Sequence, residues 1–261
     1  MSNNMDFDYA EAFERNIGVF SLEEQEKLKK LKIAIAGCGG MGGQAAQQFV
    51  RLGVEGFNVA DFDIYNVCNI NNQFDSNTST MGRNKAEVVS EHILEVNPNA
   101  NVTVFNQGVT KENVNDFLSD VDIVVDAIDY NNQKDSLILH MAARKMNLFV
   151  FAPQAIGFGA SVLVFDPKGV ALEDFLGAAA INTNIIDVEK FSPYIPSYAD
   201  PKVIKEIELG TGKYLPNIAV AQCLGIAMLT AEALAYILKN RKPTCVPNKF
   251  AIDLWDKVLI S

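Results

Sequence analysis

The chain has 261 residues, 49% hydrophobic and 21% charged, an ordinary globular mix with length enough for a sizeable core. A formal net charge of -10 and a pI near 4.7 repel phosphate backbones, which disfavours nucleic acid as a partner. The opening Met1-Ser2-Asn3-Asn4-Met5-Asp6 lacks the basic and apolar parts of a secretory leader, and Cys38, Cys68, Cys223 and Cys245 form no C-x-x-C pair; the expected setting is a reducing cytoplasm, with no structural zinc.

Along the chain, residues 7–15 read as a short helix. Ser21, with Glu24 three residues on, is a capping box that opens a second helix through Lys30. The lysine-rich stretch 27–32 reads as that helix's solvated end, where cations are favoured. The apolar run 33–36 stops at glycines and reads as a buried strand. Then follow helix 42–52, strand 57–60, a polar loop 61–81, helix 84–96, strand 102–105, helix 111–118, strand 121–126, helix 133–145 and strand 148–151. This alternation predicts a Rossmann-like α/β fold, a mostly parallel sheet with helices on both faces.

After residue 160 the pattern changes. Residues 161–165 read as a strand entering an edge or a second sheet, and Asp166-Pro167-Lys168-Gly169 as a turn. Residues 187–214 hold prolines at 193, 196 and 201 and read as a long excursion, packed by Tyr194, Tyr198 and Tyr214. The segment 218–238 is long and apolar enough to span a bilayer. Gln222 and Glu232 inside it, and Pro216 before it, favour instead a helix buried against a sheet or a second subunit, with no membrane. A strand at 250–254 ends an antiparallel C-terminal part.

The strand at 33–36 leads straight into Gly37-Cys38-Gly39-Gly40-Met41-Gly42, a G-x-G-x-x-G at a strand-to-helix junction. Gly37, Gly39, Gly40 and Gly42 would allow a tight turn, close approach of phosphate, and close helix packing. Asp61, ending the next strand, can accept hydrogen bonds from a ribose. These features serve a dinucleotide or ATP equally. A triphosphate also needs cations, amide donors and a carboxylate for magnesium. Downstream lie the amide-rich loop after Asp61, then Gly82-Arg83-Asn84-Lys85-Ala86-Glu87, then Asp126-Ala127-Ile128-Asp129. Asp63 reads as a loop-shaping acid or a nucleotide contact, and His92 and His140 as solvated or core histidines.

In this order the motifs resemble the ThiF/MoeB/HesA superfamily, relatives of the ubiquitin-activating enzymes, over about residues 15–165. The resemblance implies one nucleotide-binding domain over 1–261: N-terminal helices 1–30, core 31–165, excursion 166–215, and C-terminal helix and strand 216–261. It implies ATP with Mg2+ as ligands. Asn69, Asn72, Gln73 and Lys85 would contact ATP, Asp129 would bind magnesium, and Arg15 would reach into a partner subunit's site in a homodimer. The family reads N-x-x-R-Q where this chain has Asn69-Ile70-Asn71-Asn72-Gln73, so an uncharged amide stands in place of a phosphate-binding arginine. Arg83 is the nearby candidate to replace it.

The expected activity is ATP-dependent adenylation of a carboxylate, on a small ubiquitin-like sulfur carrier or a peptide. No cysteine lies between 165 and 214, which disfavours a covalent thioester. The alternatives are an enzyme like the tRNA threonylcarbamoyl-adenosine dehydratases, a non-catalytic partner subunit, or an NAD-dependent oxidoreductase.

Overall fold

The computed structural model describes residues 7–177, 196–209, 211 and 216–260. The parallel part of its sheet comprises β1 (Lys32–Ala36), β2 (Gly56–Ala60), β3 (Asn101–Phe105), β4 (Ile123–Asp126) and β5 (Val150–Ile156). The antiparallel part comprises β6 (Gly159–Phe165), β7 (Phe250–Asp253) and β8 (Val258–Ile260), giving the order β3-β2-β1-β4-β5-β6-β7-β8. The helices are α1 (Tyr9–Ala12), α2 (Leu22–Lys30), α3 (Gly40–Arg51), α4 (Lys85–Val96), α5 (Val114–Phe117), α6 (Gln133–Lys145), α7 (Leu172–Leu176), α8 (Pro201–Glu208) and α9 (Ala219–Lys239).

Strand periodicity divides the core. Ile33 and Ile35 of β1 enter one cluster with Phe49 of α3, Ile93 of α4 and Leu229 of α9. Ala34 and Ala36 enter a second, with Phe117 of α5 and Leu139 of α6. Side chains on both faces of one strand require layers on both sides, and each large apolar group so buried stabilises the fold by about 1.5–3 kcal/mol. The chain passes from β1 to β2 on one side and returns to β4 on the other. The loops leaving the ends of β1 and β4 therefore part at a crevice, the place where open α/β sheets bind ligands.

Several boundaries differ from expectation. The helix expected at 7–15 breaks at Phe13, which leaves helical geometry, into α1 and a 3₁₀ turn Glu14–Asn16. The capping box at Ser21 is formed in both directions. β5 runs on past Phe151 through Pro153; β4 stops pairing with it at Phe151, so the missing N–H falls where one side is already an edge. α7, α8 and β8 add to the expected elements. Residues 178–195, 210 and 212–215, which carry Tyr194, Tyr214 and part of the expected excursion, lie outside the described residues. The apolar α9 packs on α3, β5 and β6.

Candidate functional site

The turn after β1 is packed backbone against backbone. Gly37 has φ +88° and donates its N–H to Ala60 O at 2.8 Å. A Cβ there would lie 2.3 Å from Ala127 O, one at Gly42 1.6 Å from Gly37 O, and one at Gly40 2.9 Å from Asn72 O. Gly39 has more room, 3.4 Å to Gln73 Nε2. Gly39 also caps α3 without a side chain, so the amides of the first helical turn stay available to an anion.

Asp61 leaves β2 and braces this turn. Its Oδ2 accepts the Cys38 N–H at 2.7 Å and its Oδ1 the Asp63 N–H at 2.8 Å. Burial pushes its carboxyl above the usual carboxylate range, and Lys85 opposes that shift. Lys85 opens α4 with its side chain only 8% exposed, and Nζ lies 3.2 Å from Asp63 Oδ2. Asn84, the cap of α4, donates to the carbonyls of Asp61 and Asp63, tying the helix start to the acid loop. Tyr65 donates its hydroxyl to Cys38 O at 3.1 Å. Burial raises the Cys38 thiol, so this cysteine packs the turn as a neutral group.

The amide loop takes other partners. Asn69 Oδ1 accepts the Asn66 N–H at 2.9 Å, folding the loop on itself. Asn72 Nδ2 donates to Asn217 Oδ1 at 2.5 Å, and Gln222 Nε2 of α9 donates to the same oxygen at 3.0 Å. Where a family arginine would stand, this chain clips the loop to the start of α9. Gln73 keeps a buried Oε1 with no partner among the described residues. Arg83, the candidate to replace that cation, pairs its guanidinium with Glu91 on an exposed face of α4.

Asp129 follows the β4 exit loop, exposed, and accepts the Asn131 N–H at 3.1 Å. Arg15 stands apart in its own chain. Its neighbour Asn16 bonds to Leu52 O, beyond the far end of the twelve-residue α3, roughly 18 Å from the glycine turn. His140, expected to be solvated or a core residue, lies 2.9 Å from Asp126 Oδ2, and His92 pairs with Asp75 at 2.6 Å. Asp75, Asn217 and Gln222 are site-adjacent residues that the sequence did not indicate, and Asp126 stood out there only as the start of the run that leads to Asp129. For Asp126 and His140 a signal existed: a strand ending in acid, facing a helix whose buried face repeats Ser136, Leu139, His140 and Ala143. Among the described residues no cluster of three or more His, Cys, Asp and Glu could cage a metal. Magnesium commonly relies on one or two carboxylates plus phosphate oxygens, which Asp129 fits.

The fold defines a doubly wound α/β protein, with the glycine turn, the acid and the buried lysine gathered at the crevice of its switch point. The chain belongs to the ThiF family, whose model matches residues 13–257. It is 31% identical over 131 residues, half of each chain, to the tRNA threonylcarbamoyladenosine dehydratase of Haemophilus influenzae. It is 29% identical over 147 residues, 56% of this chain and 58% of the other, to the Sulfur carrier protein ThiS adenylyltransferase of Escherichia coli. The chain spans about half the length of the curated relatives it matches. The crystal structure of E. coli MccB with AMPCPP and MccA has the same fold, with a TM-score of 0.71 at 17% identity over 99% of this chain and 70% of that one.

Proposed function

We propose that the chain is an ATP-dependent adenylyltransferase that activates a carboxylate. The observation that carries this reading is the Lys85 ammonium, nearly buried beside Asp61 and Asp63, together with a turn whose Gly37, Gly40 and Gly42 leave no room for a Cβ. A buried cation next to open helix-terminal amides suits a polyphosphate better than a neutral ligand. In the reaction a carboxylate oxygen attacks the α-phosphorus of ATP, forming an acyl-adenylate as the bond to pyrophosphate breaks. The protein's part is to align the groups and offset charge. Gly37, Gly39, Gly40 and Gly42 would face the phosphates, Asp61 the ribose, and Asn69, Asn72 and Gln73 the rest of the nucleotide. Lys85 would release Asp63 to meet phosphate. Asp129 would hold magnesium, which when bound screens the triphosphate charge.

The same reading treats the chain as one nucleotide-binding unit in the cytoplasm, with a small carrier protein or peptide as the acceptor. It also includes a homodimer. Arg15 lies far from its own glycine turn, so any contact with nucleotide has to come from a second copy. Light scattering that gives a monomer at micromolar concentration removes that part.

ATP–pyrophosphate exchange with a candidate acceptor tests the whole. Asp129→Ala is expected to lower exchange on the order of 10²-fold with the fold retained; full activity in that variant removes Asp129 from the mechanism. The named dehydratase relatives support a second reading, adenylation of a carboxylate carried on tRNA. The net charge of -10 weighs against it, and exchange stimulated by tRNA but by no carrier or peptide would establish it.

A further inference from the structure

Asp126 ends the central strand β4 opposite Ala36 of β1 and is only 7% exposed. Its oxygens are engaged inside the fold. Oδ1 accepts the Ile128 N–H at 3.1 Å and the Ser136 hydroxyl at 3.3 Å, while Oδ2 lies 2.9 Å from His140 Nε2. His140 is buried with its ring edge-on to Phe165, centroids 4.6 Å apart. A carboxylate this deep is tolerated only when donors match it. One of its three donors is the backbone of the loop that leads to Asp129. That loop is pressed against the glycine turn: Ala127 N–H donates to Ala36 O at 2.8 Å, and Ala127 O fills the space a Gly37 Cβ would need. Asp126 sets the direction in which the loop leaves β4, and two residues of α6 hold Asp126.

The set is not a nucleophilic triad. Ser136 and His140 both bond to the acid, and the acid stands between them, so the histidine is not placed to take the serine proton.

We propose that His140 is a positioning residue, which through Asp126 holds the 127–129 loop against the glycine turn and so aims Asp129 at the nucleotide crevice. The aim at a nucleotide rests on the adenylation reading; the ordering of the loop does not. Hydrogen exchange on the full chain without ligand reads the ordering directly at the Ile128 amide. His140→Leu removes the donor to Oδ2 and is expected to speed Ile128 exchange about tenfold or more, with the amides of β2 unchanged. ATP-magnesium affinity, measured by calorimetry, is expected to fall about tenfold, a 1.4 kcal/mol effect. His140→Gln keeps a side-chain donor near Oδ2 and should restore both, which a general loss of packing would not allow.

Unchanged Ile128 exchange in His140→Leu overturns the proposal, and so does faster exchange with unaltered affinity in a chain that binds ATP. If His140→Leu fails to fold, Ser136→Ala, which strips one hydroxyl from the same carboxylate, makes the test, and no rise at Ile128 overturns the proposal. If the wild-type chain binds no ATP, the adenylation reading falls, and Ile128 exchange still decides the role of His140.

Discussion

The central strands β1 and β4 of the parallel half and the outer strands β7 and β8 of the antiparallel extension are held by different kinds of contact. In β1 and β4 every residue but Lys32 is buried, with helices covering both faces. In β7 burial alternates, and in β8 it nearly vanishes, with Leu259 65% exposed. There the chain is fastened by polar clamps. Tyr198 donates its hydroxyl to Asp253 at 2.7 Å and accepts the Phe158 N–H at 2.6 Å, and Ser197 bonds twice to Asp256. Trp255 stacks on Phe158 with centroids 5.0 Å apart. Burial spreads stability over many residues, whereas a clamp concentrates it in one. The half that carries the glycine turn should therefore yield to steric insult and the extension to loss of a single hydroxyl.

The largest effect is expected at Gly42. An added methyl would overlap Gly37 O, a backbone atom with no rotamer to change, so Gly42→Ala should cost about 3 kcal/mol or more and abolish ATP binding. Gly39→Ala meets only the end of the Gln73 side chain and should cost less than about 1 kcal/mol. Urea unfolding of the pair measures the contrast. Equal stability would mean that the turn relaxes as a unit and burial does not hold it.

In the extension, Tyr198→Phe leaves the buried Asp253 carboxylate short of a donor and the Phe158 N–H short of an acceptor. A loss of about 2 kcal/mol is expected. Hydrogen exchange should quicken in β7 and leave β1 unmoved. If β1 loosens as well, the two halves unfold together and the contrast between them is one of chemistry only.

The same division governs what is legible in the sequence. Strand, glycine turn, helix and acid follow one another locally, so Gly37 to Gly42, Asp61 and Lys85 can be read from the chain alone, and the fold brings them together. Partners far apart in sequence cannot. Asn72 meets Asn217 across 145 residues, and nothing near either position announces it. Asp126 and His140 sit on a strand and a helix whose packing decides the contact. Arg15 is expected at a partner subunit's nucleotide site because of a resemblance alone, and in its own chain it lies by the far end of α3. Short elements such as β8 depend on a neighbouring strand to form, and three residues give too little pattern to read.

The smallest effect concerns pH and returns to the parallel half. Asp61 ionises at about 3.9 when the chain is unfolded, and burial raises that value in the fold despite the pull of Lys85. Between the two values the folded chain holds a proton that the unfolded chain has released. The proton therefore favours folding: this contribution is complete below the unfolded value and is lost as pH rises past the folded one. Asp61→Asn keeps the oxygen that accepts a backbone N–H and removes the titration. The stability of wild type minus that of the variant should therefore fall as pH climbs from about 4 towards neutrality, by less than about 1 kcal/mol. Urea unfolding at a series of pH values gives the slope directly. A difference that rises with pH would mean that Lys85 outweighs burial, and that the acid and the ammonium form a net stabilising pair even without a nucleotide beside them.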